Sequence, residues 1–363
     1  MGTTRLRNTE EDYKQLGLKK GEVELWEDGL RAKQAMGTFE WWYFDAVMED
    51  GSTVSLNFAT TVTGAQPTVA VTINATSVEG KKFKDVISYQ NAESSFAEGC
   101  CDVKAGASYF KGNLKDYEIK VDPVHGLGCD LKLHSLCKSW RPETGHVVFN
   151  GEEKYFTWLF VVPQGTVTGT LTIEGKTATV TGEGYHDHQW GNINLLGDMN
   201  NWVWGRQIFK DYTVLIFDFV TSQANGYQRF PFFCVEDKEG NVVFSNTEVD
   251  DGFHCEIAQE YEENDIGKTC PKVINYTYEH DGMKVTHSLT ADHNIYVNDM
   301  YRQSNAQMKA AFDQMGMAPA YVRYQADGTL KIESDAGTIE REGQLVYEFA
   351  YFSTHYKDVM THL

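Results

Sequence analysis

A chain of 363 residues is longer than one core usually supports, and 41% hydrophobic with 13% aromatic residues is enough to fill two. A net charge of -20 argues against binding to a nucleic-acid backbone, which needs basic patches, and against simple electrostatic attraction to an anionic membrane surface. Seven cysteines, an odd number without CxxC spacing, fit reduced thiols rather than a disulfide framework.

The chain starts without an apolar signal region, and no stretch reaches the ~18 consecutive apolar residues of a membrane helix. A cytoplasmic protein without membrane insertion is therefore expected. Thr9 to Asp12 is an acidic capping pattern ahead of a short helix over residues 9–18. From Gly37 the texture alternates: Phe39, Trp41, Tyr43 and Asp45 against Glu40, Trp42, Phe44 and Ala46. Asp50-Gly51 then turns the chain into Val54, Leu56 and Phe58, a hairpin pattern. Val69 to Ile73 alternates again before a turn at Glu79-Gly80. Tyr117 to Val121, Leu131 to Leu136 and Tyr155 to Val162 read as strands. Leu171 to Ile173 and Ala178 to Val180 flank a two-residue turn at Glu174-Gly175.

Further strands are expected at Tyr212 to Val220, Phe230 to Glu236, Asn241 to Phe244, Val273 to Glu279 and Met283 to Leu289. Turn signals at Glu239-Gly240, Asp281-Gly282, Asp327-Gly328 and Glu342-Gly343 separate them. One helix is expected over Ser304 to Met315, closed by Gly316, and Leu345 to Tyr351 is a closing strand. Many short strands with regular turns predict an all-β fold of antiparallel barrels or sandwiches with few short helices. The expected division is a leader over 1–36, a first β domain over 37–190 and a second over 191–363.

Between the two halves lies Gly184-Tyr-His-Asp-His-Gln-Trp-Gly191. On a strand, His186, His188 and Trp190 share a face. Catalysis makes a histidine the acid or base and Trp190 a π wall for positive charge. A metal site would need a third ligand that no local cluster supplies, so no metal is expected. A buried polar network is the third reading. Trp202, Trp204 and Arg206 form a second polar-aromatic face. Tyr212, Val214, Ile216 and Asp218 share another, where an aspartate amid apolar residues either has a raised pKa or pairs with Arg206 or Arg229. Glu40, Trp41 and Tyr43 belong either to a core or to the wall of a site. Phosphate loops, GxSxG and cysteine–histidine signatures are absent, so no cofactor is expected.

Glu40-Trp-Trp-Tyr43, His186-Asp-His-Gln-Trp-Gly191 and Trp202-Val-Trp-Gly-Arg206 together resemble the hydroxyneurosporene synthase/carotenoid 1,2-hydratase group. Its relatives are the AttH-like proteins, kievitone hydratases and lipocalin-like Diels–Alderases. The resemblance covers about residues 37–355. It implies two lipocalin-like β domains with a hydrophobic small molecule held near their junction. It also implies catalytic roles for His188 and Trp190, which match the family's His-x-Trp pair, and for Asp218. Tyr212 stands in for a tyrosine expected two residues before Asp218, where this chain has Ile216. The remaining residues of these motifs, Glu40, Trp41, Tyr43, His186, Trp202, Trp204 and Arg206, are expected to contact substrate. The leading expectation is a cofactor-independent hydratase or dehydratase acting on a C=C bond of an isoprenoid, prenylated phenol or flavonoid. An isomerase or cyclase and a non-catalytic carrier are the alternatives, and a homo-oligomer remains open.

Overall fold

In the computed structural model, residues 3–353 and Met360 are described. The chain divides into two compact units, Met1–Ile193 with Glu239–Asn241, and Asn194–Lys238 with Val242–Leu363. Each is built on one curled antiparallel sheet, so the all-β expectation holds. No helix among the described residues is long and apolar enough to cross a membrane.

The sheet of the first unit runs in space through Lys82–Tyr89, Thr68–Thr76, Thr53–Thr61, Phe39–Met48, Lys176–Gly191, Lys154–Ile173, Gly128–Ser135, Asp116–Val121, Ser108–Gly112, Asp102–Ala105 and Ser94–Phe96. Strand alternation fills its interior with Trp42, Phe44, Leu56, Val71, Phe110 and Leu131. The two short runs expected around Glu174-Gly175 are the ends of one long hairpin, Lys154–Ile173 against Lys176–Gly191. Glu174 and Gly175 both take positive φ, 51° and 74°, as a tight hairpin turn requires.

The leader is part of this unit. Arg5–Leu6 pairs with the strand His146–Phe149. The expected first helix is Glu10–Leu16, with Thr9 and Asp12 closing a capping box and Gly17 left-handed after it. A 3-10 turn, Leu25–Asp28, then brings Asp28 under the sheet, where the Trp42 indole N–H donates to its carbonyl at 2.9 Å.

The sheet of the second unit runs through Val242–Asn246, Arg229–Asp237, Tyr212–Thr221, Met199–Ile208, Gly337–Ser353, Met317–Ser334, Met283–Asn298, Lys268–His280 and Phe253–Glu263. Its core holds Val214, Ile216, Phe233, Tyr276, Leu289 and Tyr347. Two expected turns are overturned. Asp327-Gly328 and Glu342-Gly343 lie in mid-strand, and Gly328 pairs with Gly343 across the ladder. The Gln207 amide occupies the space a side chain would need, donating to the carbonyls of Gly328 at 2.9 Å and Gly343 at 2.8 Å. A Cβ at Gly328 would meet that amide at 2.7 Å, so glycine here serves close approach rather than a turn. The expected late helix is Ala306–Gln314 with Asn305 as N-cap; Met300–Gln303 forms a separate turn before it.

Candidate functional site

The strand Lys176–Gly191 pairs with Phe39–Met48 so that Tyr185 faces Asp45, Asp187 faces Tyr43 and Gln189 faces Trp41. The two-residue period gives the pair of strands two unlike faces. Inward lie Glu40, Trp42, His186, His188 and Trp190; outward lie Trp41, Tyr43, Asp45, Tyr185, Asp187 and Gln189.

The inward face is a closed polar network. The Glu40 carboxylate, fully buried, accepts the backbone N–H of Arg31 and of Ala32, each at 2.7 Å. His188 Nε2 lies 2.8 Å from the same carboxylate. Trp42 stacks on the His188 ring at 4.5 Å, and half-buried Trp190 lies at 4.7 Å from it. His186 Nδ1 lies 2.7 Å from the Tyr43 carbonyl. A carbonyl can only accept, so Nδ1 carries the hydrogen. Asp28 links the two imidazoles: Oδ2 is 3.3 Å from His186 Nε2, and Oδ1 is 3.4 Å from His188 Nδ1. The Tyr117 hydroxyl donates to Oδ2 at 2.6 Å.

Asp28, Cys101 and His186 bring ligand-type atoms within 4.8 Å of one another, the residues best able to hold a metal among those described. Burial, with Asp28 beside it, pushes the Cys101 thiol well up. Asp28 Oδ2 already accepts from the Tyr117 hydroxyl and faces His186 Nε2. The cluster is therefore read as a proton-sharing network.

The outward face carries a second buried carboxyl, Asp187. The Tyr185 hydroxyl donates to Asp187 Oδ2 at 2.8 Å, and the Gln189 amide to Oδ1 at 3.3 Å. Burial pushes the Asp187 carboxyl up to about 7, against the opposing pull of the Tyr185 hydrogen bond and the His186 charge. At neutral pH such a carboxyl exists in both forms, which suits a general acid. Beside it, the Tyr43 hydroxyl donates to Asp45 at 3.0 Å. Tyr43 and Tyr185 meet edge to face at 6.4 Å, and Phe160 lies 6.2 Å from Tyr185. Trp41, half-buried, stacks on Phe39 at 4.9 Å.

In the second unit, Asp218 is fully buried and its two oxygens take Arg229 Nε at 2.8 Å and Nη2 at 2.6 Å. Of the two readings of Asp218, pairing with an arginine is the one the structure displays, and Arg229 is the partner. The tyrosine beside it is Tyr276, whose hydroxyl donates at 3.0 Å. Tyr212 lies six residues away on the same strand, about 20 Å at ~3.3 Å per residue, with the Arg341 guanidinium 5.8 Å from its ring. Trp202 is half-buried with its edge against Phe352 at 5.0 Å. Trp204 is buried with the Arg323 guanidinium 5.6 Å from its ring, and Arg206 is buried.

Sequence reasoning missed three residues. Asp28 sits in the leader, where nothing but its type marked it. Asp187 lay inside the central motif but on the face opposite the histidines. Tyr276 comes from a strand 58 residues after Asp218, beyond any local pattern.

A family model described as Diels-Alderase-like matches residues 126–318. The quinolone epoxide rearrangement protein asqO of Emericella nidulans is 25% identical over 230 residues, 59% of this chain and 61% of its own length. The quinolone epoxide rearrangement protein penF of Penicillium thymicola is 29% identical over 89 residues, 24% of either chain. The chain thus matches about three fifths and one quarter of these relatives' lengths. Among solved structures, a putative AttH from Nitrosomonas europaea superposes with a TM-score of 0.62 at 14% identity, covering 90% of this chain and 96% of that one. CghA with Sch210972 gives 0.61 at 12%, covering 92% and 97%. Kievitone hydratase from Nectria haematococca gives 0.52 at 14%, covering 86% and 89%. These structures share the fold, and the resemblance read from the motifs is borne out.

Proposed function

The chain belongs to the Diels-Alderase-like family, and on that premise we propose that it is an isomerase of secondary metabolism. It rearranges a hydrophobic substrate bearing an epoxide or an activated double bond by proton transfer, with no change of formula. The observation that carries this reading is Asp187: a buried carboxyl with a pKa of about 7, held by Tyr185 and Gln189. Its proton passes to the substrate's epoxide or carbonyl oxygen. The C–O bond or π bond then yields, and positive charge develops on carbon. The rings of Tyr43, Trp41 and Tyr185 offer π faces to that charge. The Asp187 carboxylate left behind keeps both donors, which stabilise it as it forms. Loss of a proton from the rearranged cation returns the carboxyl to its starting state.

His188 and Trp190, the pair to which the resemblance assigns catalysis, act in this reading from the other side of the same strand, as part of its support. Asp218 anchors Arg229 inside the second unit. The similarity to the quinolone epoxide rearrangement proteins supports isomerisation as the leading reading, with hydration as the second. Capture of the same cation by water would give the hydro-lyase instead.

The test is incubation with quinolone epoxides, prenylated phenols, flavonoids and acyclic terpenoids in water enriched in heavy oxygen, read by mass spectrometry. A product of unchanged mass with no label is expected. A labelled product would make the protein a hydro-lyase. A ligand bound and recovered unchanged from the whole panel would make it a carrier.

A further inference from the structure

The strand Lys176–Gly191 carries titratable groups on both of its faces, one residue apart. Asp187 points outward with Tyr185, Gln189, Tyr43 and Asp45 about it. His186 points inward toward Asp28, which is also faced by Tyr117, Cys101 and His188. Each imidazole has its far nitrogen committed, His186 to the Tyr43 carbonyl and His188 to Glu40. Their remaining nitrogens therefore meet the two Asp28 oxygens, at 3.3 and 3.4 Å. Without a shared proton, both contacts set lone pair against lone pair. Asp28 Oδ1 and His188 Nδ1 make no hydrogen bond among the described residues, although both are buried.

We infer that Asp28 is a positioning residue for the acid face, acting through His186. Two links carry the effect. The first is mechanical: His186 holds the carbonyl of Tyr43, and Tyr43 is the cross-strand partner of Asp187. The second is electrostatic. Positive charge on His186 favours the Asp187 carboxylate, and the Asp28 anion lies against the nitrogen that would carry that charge. The network on the inward face of the sheet thereby sets the proton affinity of the buried acid on the opposite face. The inference rests on the reading of Asp187 as proton donor.

The test is Asp28→Asn, which keeps shape and removes the anion. Two signals are followed against pH: the carboxyl C=O infrared stretch of Asp187, identified by its loss in Asp187→Asn, and the turnover of whichever substrate is found. With less charge on His186, the Asp187 titration should move up by about half a pH unit. Asp28→Glu should return it toward the wild type, and Asp116→Asn, an exposed carboxylate of the same unit, should leave it in place. Tyr117→Phe leaves Asp28 Oδ2 to His186 alone and should move the titration down, a second route if Asp28→Asn does not fold. A folded Asp28→Asn or Tyr117→Phe protein with an unmoved Asp187 titration would reduce Asp28 to a structural residue. If the titration moves but Asp187→Asn keeps full turnover, the coupling stands and the proton-donor reading falls.

Discussion

Glu40→Gln is the substitution whose cost the geometry defines most closely. The carboxylate accepts three hydrogen bonds, from the N–H groups of Arg31 and Ala32 at 2.7 Å and from His188 at 2.8 Å. Arg31 and His188 share Oε1, and Ala32 has Oε2 to itself. A glutamine keeps one acceptor oxygen. If it replaces Oε1, its NH2 group meets the Ala32 N–H, donor against donor; the flipped amide does the same to two donors. The lost charge-assisted bond costs about 1.5–3 kcal/mol and the stranded buried donor about 1–3 kcal/mol. The sum is about 2.5–6 kcal/mol, enough to loosen residues 29–32 and release the His188 ring. Urea unfolding followed by tryptophan fluorescence measures it, since Trp42 stacks directly on His188. A loss under about 1 kcal/mol with an unshifted His188 imidazole signal by NMR would refute the three-bond account of Glu40.

Other outcomes follow from the same geometry. His287 donates Nε2–H to Gln207 at 2.9 Å inside the second unit, and burial pushes its pKa down to about 3. A histidine depressed from 6.5 gives stability that is full above pH 6.5 and is lost as pH falls toward 3. Wild type should lose about 3 kcal/mol between pH 6.5 and 4 through this group, and His287→Gln should show a flatter profile in a pH series of urea melts; parallel profiles would contradict the assignment. Asp218→Asn strands the buried Arg229 guanidinium and should cost about 3–5 kcal/mol, read as a lowered denaturation midpoint; a neutral change would mean the pair contributes little.

Much of the strand pattern was legible because alternation and Gly-containing turns are local. Glu174-Gly175 and Asp281-Gly282 are turns with both residues at positive φ. Gly328 and Gly343 carry the same dipeptide signature for another reason, the passage of the Gln207 side chain, which comes from 121 residues earlier in the chain for Gly328. The candidate site was half legible. The central motif was found, and alternation placed His186 and His188 together. What they face, Asp28, depends on how the leader folds under the sheet. The strength of Asp187 depends on its neighbours Tyr185 and Gln189 and on burial, which only register and packing decide. Tyr212 and Asp218 share a strand face as expected, yet pleat spacing keeps them far apart while Tyr276 arrives from another strand.

The proposed isomerisation depends on proton transfer from Asp187. It is tested most directly by the turnover of Asp187→Asn on the rearranging substrate, with the folded fraction matched to wild type. A fall of about 10²–10⁴-fold is expected, with a wild-type rate that declines as pH rises through about 7, where the carboxyl loses its proton. An Asp187→Asn enzyme within a few-fold of wild type, or a wild-type rate that climbs through that range, would contradict it.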